Sequence, residues 1–157
     1  MARNVVTPIL LILATRINNM NRKNNNRSIL LVVDDEPDIT LTFSMGLEDN
    51  GFVVDAYNDP VLALEAFKQQ KKSYALALVD IKMQKMNGFE LYKEIRKIDD
   101  KVKVCFATAF DIKKEEEDDL KAVTTSNNEK PAIIRKPITI DDLVKRVKAE
   151  LLLLPDS

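Results

Sequence analysis

ILLVVDD, residues 29–35, is an apolar run of five residues that ends in two aspartates, Asp34 and Asp35. Three later apolar runs also end at polar residues: 75–79 before Asp80, 102–107 before Thr108, and 132–134 before Arg135 and Lys136. Short apolar runs that alternate with helical patterns are typical of a parallel α/β sheet covered by helices on both faces. The carboxyl ends of such strands meet at one edge, where these folds bind their ligands. The sequence therefore predicts a site at this edge with three carboxylates, a hydroxyl and an ammonium group.

These side chains have the composition of a magnesium and phosphoryl site. Mg²⁺ prefers oxygen ligands, and it usually binds one or two carboxylates together with phosphate oxygens. Clustered carboxylates repel one another, so a metal ion and the Lys136 ammonium would both stabilise the group. The chain has no histidine and a single cysteine, Cys105, which excludes the common zinc ligand sets and an internal disulfide. The residues therefore favour signalling by aspartyl phosphorylation over ordinary substrate turnover.

Length and composition predict a globular chain of one domain. The 157 residues are 45% apolar and 31% charged, and the net charge is −1. The charge is uneven, because residues 1–28 contain five basic residues and no acidic one. A single cysteine fits a reducing compartment, so we expect a cytoplasmic protein.

Residues 1–28 are predicted to be a basic, Asn-rich and flexible arm or linker. Within this arm, the apolar residues 5–14 are well short of the ~20 residues that a membrane span needs. Three interpretations stay open: a disordered arm, a weak membrane-surface or partner contact, or an extension upstream of a start at Met20. Basic residues without interleaved aromatic residues are weak evidence for nucleic-acid binding.

The rest of the chain predicts five strands and five helices. We expect the strands at 29–33, 52–56, 75–79, 102–107 and 132–135. The helices are expected from Pro37 to Asn50-Gly51, after Asp59 and Pro60, from Asn87-Gly88, over 112–123, and after Thr139, which resembles a capping box with Asp142. Residues 39–47 alternate as a strand would, so the first helix is predicted from its boundaries and from the family resemblance given below, and not from its periodicity.

Four blocks of the sequence resemble the receiver domain of two-component response regulators. They are VDDEP (33–37), VDIKM continuing to MNG (79–88), Thr108-Ala109 and Lys136-Pro137, and they occur in the family's order. The resemblance covers residues 29–154. It implies a doubly wound, flavodoxin-like (βα)5 fold whose five-stranded parallel sheet has the order 2-1-3-4-5. Since three residues follow Leu154, we expect a stand-alone receiver domain with no output domain.

The resemblance also implies a role for each residue of the predicted site. Asp80 would be the nucleophile that accepts a phosphoryl group from a sensor histidine kinase or a phosphotransfer protein. Lys136 would bind the phosphoryl oxygens, and the Thr108 hydroxyl would turn toward the phosphoryl group after transfer. Mg²⁺ would be held by the carboxylates of Asp34, Asp35 and Asp80 and by the backbone carbonyl of Lys82. The Lys136-Pro137 bond is a candidate cis peptide.

The expected protein is a switch and not a metabolic enzyme, although it would assist its own phosphorylation and dephosphorylation. Its output would be contact with a downstream protein through the fourth helix, the fifth strand and the fifth helix. A phosphorylation-dependent dimer stays open. Two alternatives remain: a receiver-like scaffold that works without phosphate, and a phosphatase of the haloacid dehalogenase type. The nucleophile of that phosphatase usually lies in an Asp-x-Asp motif, which residues 34–38 (DDEPD) do not match.

Three features depart from the family's pattern. Ile133 occupies the position of the usual Tyr or Phe, which puts the usual coupling between that ring and the threonine in doubt. Gln84 and Lys85 occupy the usual Pro-Gly positions. Residues 124–130 are a polar stretch that predicts a longer loop after the fourth helix.

Overall fold

The computed structural model of the chain describes residues 28–69, 74–109, 112–127 and 130–153. Its strands are β1 (Ile29–Val33), β2 (Val53–Tyr57), β3 (Leu76–Asp80), β4 (Lys103–Thr108) and β5 (Ala132–Arg135). Its helices are α1 (Pro37–Asp49), α2 (Pro60–Gln69), α3 (Gly88–Ile98), α4 (Lys114–Asn127) and α5 (Ile140–Leu152). All strand pairs are parallel, and the strand order is β2-β1-β3-β4-β5. The predicted doubly wound fold and its strand order are confirmed.

Each face of the sheet has its own apolar core, because the side chains of a strand alternate between the two faces. One core lies under α2, α3 and α4 and includes Phe67, Phe89 and Phe106. The other core lies under α1 and α5 and includes Leu47 and Leu143. The central strand β3 buries all five of its residues. The carboxyl end of β3 is therefore held between two packed layers.

The first two helices begin and end at the residues that the sequence marks for that role. Pro37 begins α1, and Asn50 ends it before Gly51, whose φ of 92° lies in the left-handed region that favours glycine. The Asp59 carboxylate accepts a hydrogen bond from the backbone N–H of Val61 at the start of α2 (2.9 Å). The first helix is thus confirmed in spite of its strand-like alternation.

Side-chain caps also begin α3 and α5. The Asn87 side chain accepts a hydrogen bond from the Glu90 N–H (2.9 Å), and the Glu90 carboxylate accepts one from the Asn87 N–H (2.8 Å). These two bonds form a complete capping box, which fixes the start of α3. At α5 the Thr139 hydroxyl accepts a hydrogen bond from the Asp142 N–H (3.1 Å), which is one half of the capping box predicted there.

Three strands differ slightly from their predicted bounds. β2, β3 and β4 each begin and end one residue later than expected. The parallel ladders extend this far, because Tyr57 pairs with Val33, Asp80 with Ala107, and Thr108 with Arg135. Asp80 and Thr108 are consequently the last residues of their strands and not the first residues after them.

The prediction of a loop over residues 124–130 is wrong in its first part, because the fourth helix extends into this segment. α4 continues to Asn127, so the first part of this polar stretch is helical. Val123 is buried in the core and holds the last turns of α4 against the sheet. The Thr124 hydroxyl donates a hydrogen bond to the backbone carbonyl of Leu120 (2.7 Å), so this polar side chain is satisfied within the helix.

The predicted arm at 1–28 lies almost entirely outside the described residues, as do residues 128–129 and Leu154. In the part of the chain that the structure describes, no helix combines the length and the apolarity that crossing a membrane requires.

Candidate functional site

The sheet brings the predicted site residues to one edge. Asp34 follows β1 directly and lies beside Asp80, because the carboxyl ends of β1 and β3 lie side by side in their parallel pairing. Thr108 ends β4, and its backbone carbonyl accepts a hydrogen bond from the backbone N–H of Lys136 (2.8 Å). These four residues come from four separate strand ends, as the pattern of apolar runs predicted.

The Lys136 ammonium lies between two buried carboxylates. Its Nζ is 2.7 Å from Oδ2 of Asp34 and 3.6 Å from Oδ1 of Asp80. The Lys136 side chain is 7% exposed, so it is not the solvated charge that a lone lysine usually is. The Lys136–Pro137 peptide bond is cis, as predicted. The ammonium therefore links the end of the edge strand β5 to the centre of the sheet.

Burial and charge change the acid–base properties of this pocket. Burial, followed by the nearby Asp34 carboxylate, raises the pKa of Asp80 to about 6, although the Lys136 ammonium acts in the opposite direction. Burial alone would lower the pKa of Lys136, but the hydrogen bond to Asp34 and the charge of Asp80 raise it above its ordinary value. Lys136 thus stays charged, and one ammonium group faces more carboxylates than it can neutralise.

The carboxylates fit the chemistry of a hard cation. One carboxylate oxygen each from Asp34, Asp35 and Asp80 lies within 4.8 Å of the others. Mg²⁺ prefers such oxygen ligands, and its charge would relieve the repulsion within the group. Lys82, whose backbone carbonyl was expected to join the ligands, lines a cleft of about 340 Å³ together with Asp35 and Asn87. Asp35 thus belongs both to the carboxylate group and to the lining of this cleft, which Lys82 also lines.

Gly88 explains how the loop of residues 81–87 stays close to Asp80. The backbone N–H of Gly88 donates a hydrogen bond to the carbonyl of Ile81 (2.9 Å), which turns the chain back toward β3. A Cβ atom on Gly88 would lie 2.4 Å from the backbone carbonyl oxygen of Asp80. Glycine is therefore required here by close backbone approach, a role that the sequence marked only as a helix start.

Asn58 is a site residue that the sequence analysis missed. Its side-chain amide lies 2.9 Å from the backbone carbonyl oxygen of Asp34 and 2.7 Å from Oγ1 of Thr40, and both contacts are hydrogen bonds. The backbone N–H of Glu36 donates to the Asp34 carboxylate (3.0 Å). These bonds fix Asp34 in both its backbone and its side chain. Asn58 could have been found, because it follows β2 at the same edge where Asp34 follows β1.

The structure also gives the positions of four further residues named in the sequence analysis. Lys85 has a φ of 69°, and its ammonium forms an ion pair with Asp59. The Lys82 ammonium lies 3.6 Å from the Glu116 carboxylate on α4. Ile133 lies half-buried on β5 opposite Phe106. The Thr108 side chain is buried close to the pocket.

Comparison with known proteins gives a consistent result. The family described as the response regulator receiver domain matches residues 30–148. The transcriptional regulatory protein CpxR homolog of Haemophilus influenzae is 36% identical over 124 residues, which are 79% of this chain and 50% of that protein. The transcriptional regulatory protein RprY of Bacteroides fragilis is 27% identical over 122 residues, which are 78% of this chain and 48% of that protein. The chain therefore spans about half the length of the curated relatives that it matches.

Solved structures with the same architecture include two receiver-type proteins. The chemotaxis protein CheY4 of Vibrio cholerae matches with a TM-score of 0.67 and 26% identity, over 78% of this chain and 98% of that chain. A CheY-like receiver domain protein from Methanospirillum hungatei matches with a TM-score of 0.68 and 25% identity, over 80% of this chain and 94% of that chain.

Proposed function

The chain belongs to the response regulator receiver domain family, and from this membership we propose that it is a phosphorylation-dependent switch whose phosphoacceptor is Asp80. The observation that carries the proposal is the position of Lys136, whose ammonium lies between Asp34 and Asp80 in a buried pocket. The phosphoryl donor would be a sensor histidine kinase or a phosphotransfer protein.

In the proposed reaction an oxygen of the Asp80 carboxylate attacks the phosphorus atom of a phosphohistidine. The bond from phosphorus to Asp80 forms as the bond from phosphorus to the donor nitrogen breaks, and an acyl phosphate results. Asp80 must be ionised to attack, and its pKa of about 6 leaves most of it ionised at neutral pH. Lys136 donates hydrogen bonds to the phosphoryl oxygens and balances their charge.

Mg²⁺ would be held by Asp34, Asp35 and Asp80 and by the backbone carbonyl of Lys82. When bound, the ion supplies the positive charge that allows a carboxylate and a phosphoryl group to approach each other. Thr108, which ends the neighbouring strand β4, would donate its hydroxyl to the phosphoryl group after transfer. The phosphorylated state would then shift a pre-existing equilibrium between two surface conformations.

The proposed output is contact with a downstream protein through the face formed by α4, β5 and α5, and phosphorylation-dependent dimerisation belongs to the same proposal. The curated relatives are named as transcriptional regulators, but the match covers only about half of their length. We propose a cytoplasmic location, which suits the single buried cysteine, Cys105.

The proposal is tested by intact-mass analysis after incubation with acetyl phosphate, with and without Mg²⁺. We expect the wild-type chain to gain one phosphoryl group only with Mg²⁺, and Asp80→Asn to gain none. Asp49→Asn is the matched control, because Asp49 is an exposed carboxylate at the far end of α1.

Three results would contradict the proposal. Phosphorylation of Asp80→Asn to the wild-type level would remove Asp80 as the acceptor. Absence of both phosphorylation and Mg²⁺ binding in the wild type would leave the phosphate-independent scaffold. Continuous turnover of small phosphate esters would instead indicate a phosphatase.

A further inference from the structure

Lys85 has an unusual backbone conformation for its residue type. Its φ of 69° lies in the left-handed region, and it is the one residue other than glycine with a positive φ among those that the structure describes. A side chain other than glycine is disfavoured in this region, because its Cβ approaches the following carbonyl oxygen. Lys85 lies in the loop of residues 81–87, which also carries Lys82. Some contact must therefore favour this conformation of the loop.

Asp59 supplies that contact from the neighbouring β2–α2 connection. One oxygen of its carboxylate, Oδ2, forms the ion pair with the Lys85 ammonium. The other oxygen, Oδ1, accepts a hydrogen bond from the backbone N–H of Val61 and so caps α2 (2.9 Å). The hydrogen bond from Lys85 is the largest influence on the pKa of Asp59, which is lower than its ordinary value. Because the cap already fixes Asp59, the ion pair ties Lys85 to a rigid point.

The β2–α2 connection also contacts the end of β1, where Asp34 and Asp35 lie. Asn58, the residue before Asp59, donates a hydrogen bond to the backbone carbonyl of Asp34. A cleft of about 240 Å³ between the two contacts is lined by Asp35, Asn58, Asp59, Pro60, Gln84 and Lys85. The Asn58-Asp59 dipeptide thus connects the end of β1, which carries two of the expected metal ligands, to the loop that carries a third.

We propose that Asp59 and Lys85 are positioning residues of the divalent-cation site: their ion pair holds the loop of residues 81–87 so that the backbone carbonyl of Lys82 completes the ligand set. The inference rests on the proposed function, because it assigns roles around the same Mg²⁺ site. Neither residue contacts the cation or the phosphoryl group in this scheme. They act through the backbone of the loop, which the ion pair fixes at its most strained residue.

The competing explanation is that this ion pair is a surface contact without consequence. The Lys85 side chain is 63% exposed, and exposed ion pairs contribute little to stability in most proteins. The chain contains a matched example, the pair between Glu94 and Lys97 on α3, whose lysine is 68% exposed. This second pair joins two residues of one helix and fixes no loop. It therefore provides the control that separates positioning from surface charge.

The first measurement is Mg²⁺ affinity by isothermal titration calorimetry on the full chain. We expect Lys85→Ala and Asp59→Asn each to weaken Mg²⁺ binding about two- to fivefold, which corresponds to about 0.4 to 1 kcal/mol. Asn caps a helix about as well as Asp, so Asp59→Asn removes the ion pair and keeps the start of α2. The double variant should lose no more than either single variant, because both changes remove one contact. Lys97→Ala should bind Mg²⁺ like the wild type.

The second measurement uses no metal. Amide hydrogen exchange of Met86 and Gly88, which form backbone hydrogen bonds within the loop, should become about two- to fivefold faster in Lys85→Ala without Mg²⁺. Lys85→Gly removes the ion pair but also removes the backbone strain, so its exchange rate should lie between those of wild type and Lys85→Ala. Lys85→Arg should keep the wild-type rate.

The outcomes separate this inference from the proposed function. Wild-type affinity and wild-type exchange in both Lys85→Ala and Asp59→Asn would overturn the inference and leave the phosphoacceptor proposal intact. An equal loss in Lys97→Ala would also overturn it, because the effect would then follow surface charge alone. A wild-type chain that binds no Mg²⁺ and accepts no phosphoryl group would overturn both.

Discussion

β3 and β5 end at the same edge of the sheet, but the protein surrounds them very differently. All five residues of β3 are buried, whereas one of the four residues of β5 is. Beside β3, helix α3 buries five residues, among them Phe89 and Ile95, while in α4, next to β5, Val123 is the buried residue among the side chains that are described.

This difference indicates where the chain can vary without loss of the proposed phosphoacceptor site. The centre of the sheet fixes Asp80 between two cores, so a change there moves the proposed phosphoacceptor. The β5 side carries two of the departures from the family's pattern, Ile133 and the polar stretch at 124–130. Lys136 follows β5 in the chain but belongs to the centre by its contacts with Asp34 and Asp80. Variants at the centre of the sheet and on the β5 side separate these two regions by experiment.

Lys136→Met should have the largest effect. Removing one partner of a buried ion pair leaves uncompensated charge, which typically costs about 3–5 kcal/mol of stability. We expect this loss in the free energy of unfolding, measured with urea at pH 7 without Mg²⁺, together with loss of phosphorylation by acetyl phosphate. The neighbouring exposed Arg135 is the matched control, and Arg135→Met should lose much less stability than Lys136→Met because this side chain is exposed and not buried. Equal losses of stability in the two variants would show that the centre of the sheet is no more constrained than the β5 side.

Asp80→Asn should stabilise the fold at neutral pH. The pKa of Asp80 is about 6 in the folded chain against 3.8 for an unperturbed group, so the folded state holds this proton more tightly than the unfolded state. Stability is therefore lost as the pH rises from about 4 to about 6, by about 3 kcal/mol at most. Without Mg²⁺ the variant should exceed the wild type by this amount at pH 7 and equal it near pH 4.

Urea denaturation of both proteins at several pH values checks this expectation. Mg²⁺ should reduce the difference at pH 7, because it stabilises the ionised wild-type pocket. A difference that does not depend on pH would show that Asp80 ionisation is not its cause.

Gly88→Ala should destabilise the chain by about 1–3 kcal/mol, because the new Cβ would overlap the backbone of Asp80. It should also reduce the yield of phosphorylation, since the loop must move. In Gly46→Ala, the control, the new Cβ would lie 2.5 Å from Cγ2 of Ile140, so this side chain and not the backbone must shift, and the helix preference of alanine offsets about 1 kcal/mol of that cost. Thermal denaturation with intact-mass analysis compares the two. A larger loss in Gly46→Ala would show that close packing at the centre is not the decisive factor.

Ile133→Tyr should have the smallest effect. Ile133 is half-buried on β5, where a larger ring can extend toward solvent, so we expect a change in stability of less than about 1 kcal/mol and no change in the yield of phosphorylation. Both are measured as above, with the wild type as reference. A loss of stability as large as that of Gly88→Ala would show that β5 is as constrained as the centre of the sheet.

The sequence predicted the fold because several signals agreed in each element. Apolar runs of strand length, Pro37, Asp59 and the Asn50-Gly51 turn each marked a boundary, and the strand ends placed the acidic residues together. The first helix was predicted against its strand-like alternation, because Pro37 and Gly51 mark its boundaries and the family resemblance also implies a helix there. The end of α4 could not be predicted in the same way. The polar residues at its end have weak helix preference, whereas Val123 is buried against the sheet and Thr124 forms a hydrogen bond to Leu120, and neither contact is visible in the sequence.

The contacts around the site were harder to predict than its main residues. Asp59 and Lys85 are 26 positions apart, and their pairing depends on a left-handed backbone that the sequence QKM (84–86) does not reveal. Asn58 joins Asp34 only because two parallel strands end side by side. Such contacts depend on the path of the loops, which side-chain patterns do not record.

The ion pair between Lys82 and Glu116 would have a thermodynamic consequence for the proposed switch. Lys82 lies two residues after Asp80, and Glu116 lies on α4, so one contact of 3.6 Å joins the phosphoacceptor loop to the proposed output helix. Linked equilibria are reciprocal: if phosphorylation changes the affinity of α4 for a partner by some factor, that partner changes the phosphorylation equilibrium by the same factor. A partner that draws Glu116 away from Lys82 would therefore regulate the loading of the switch as well as respond to it.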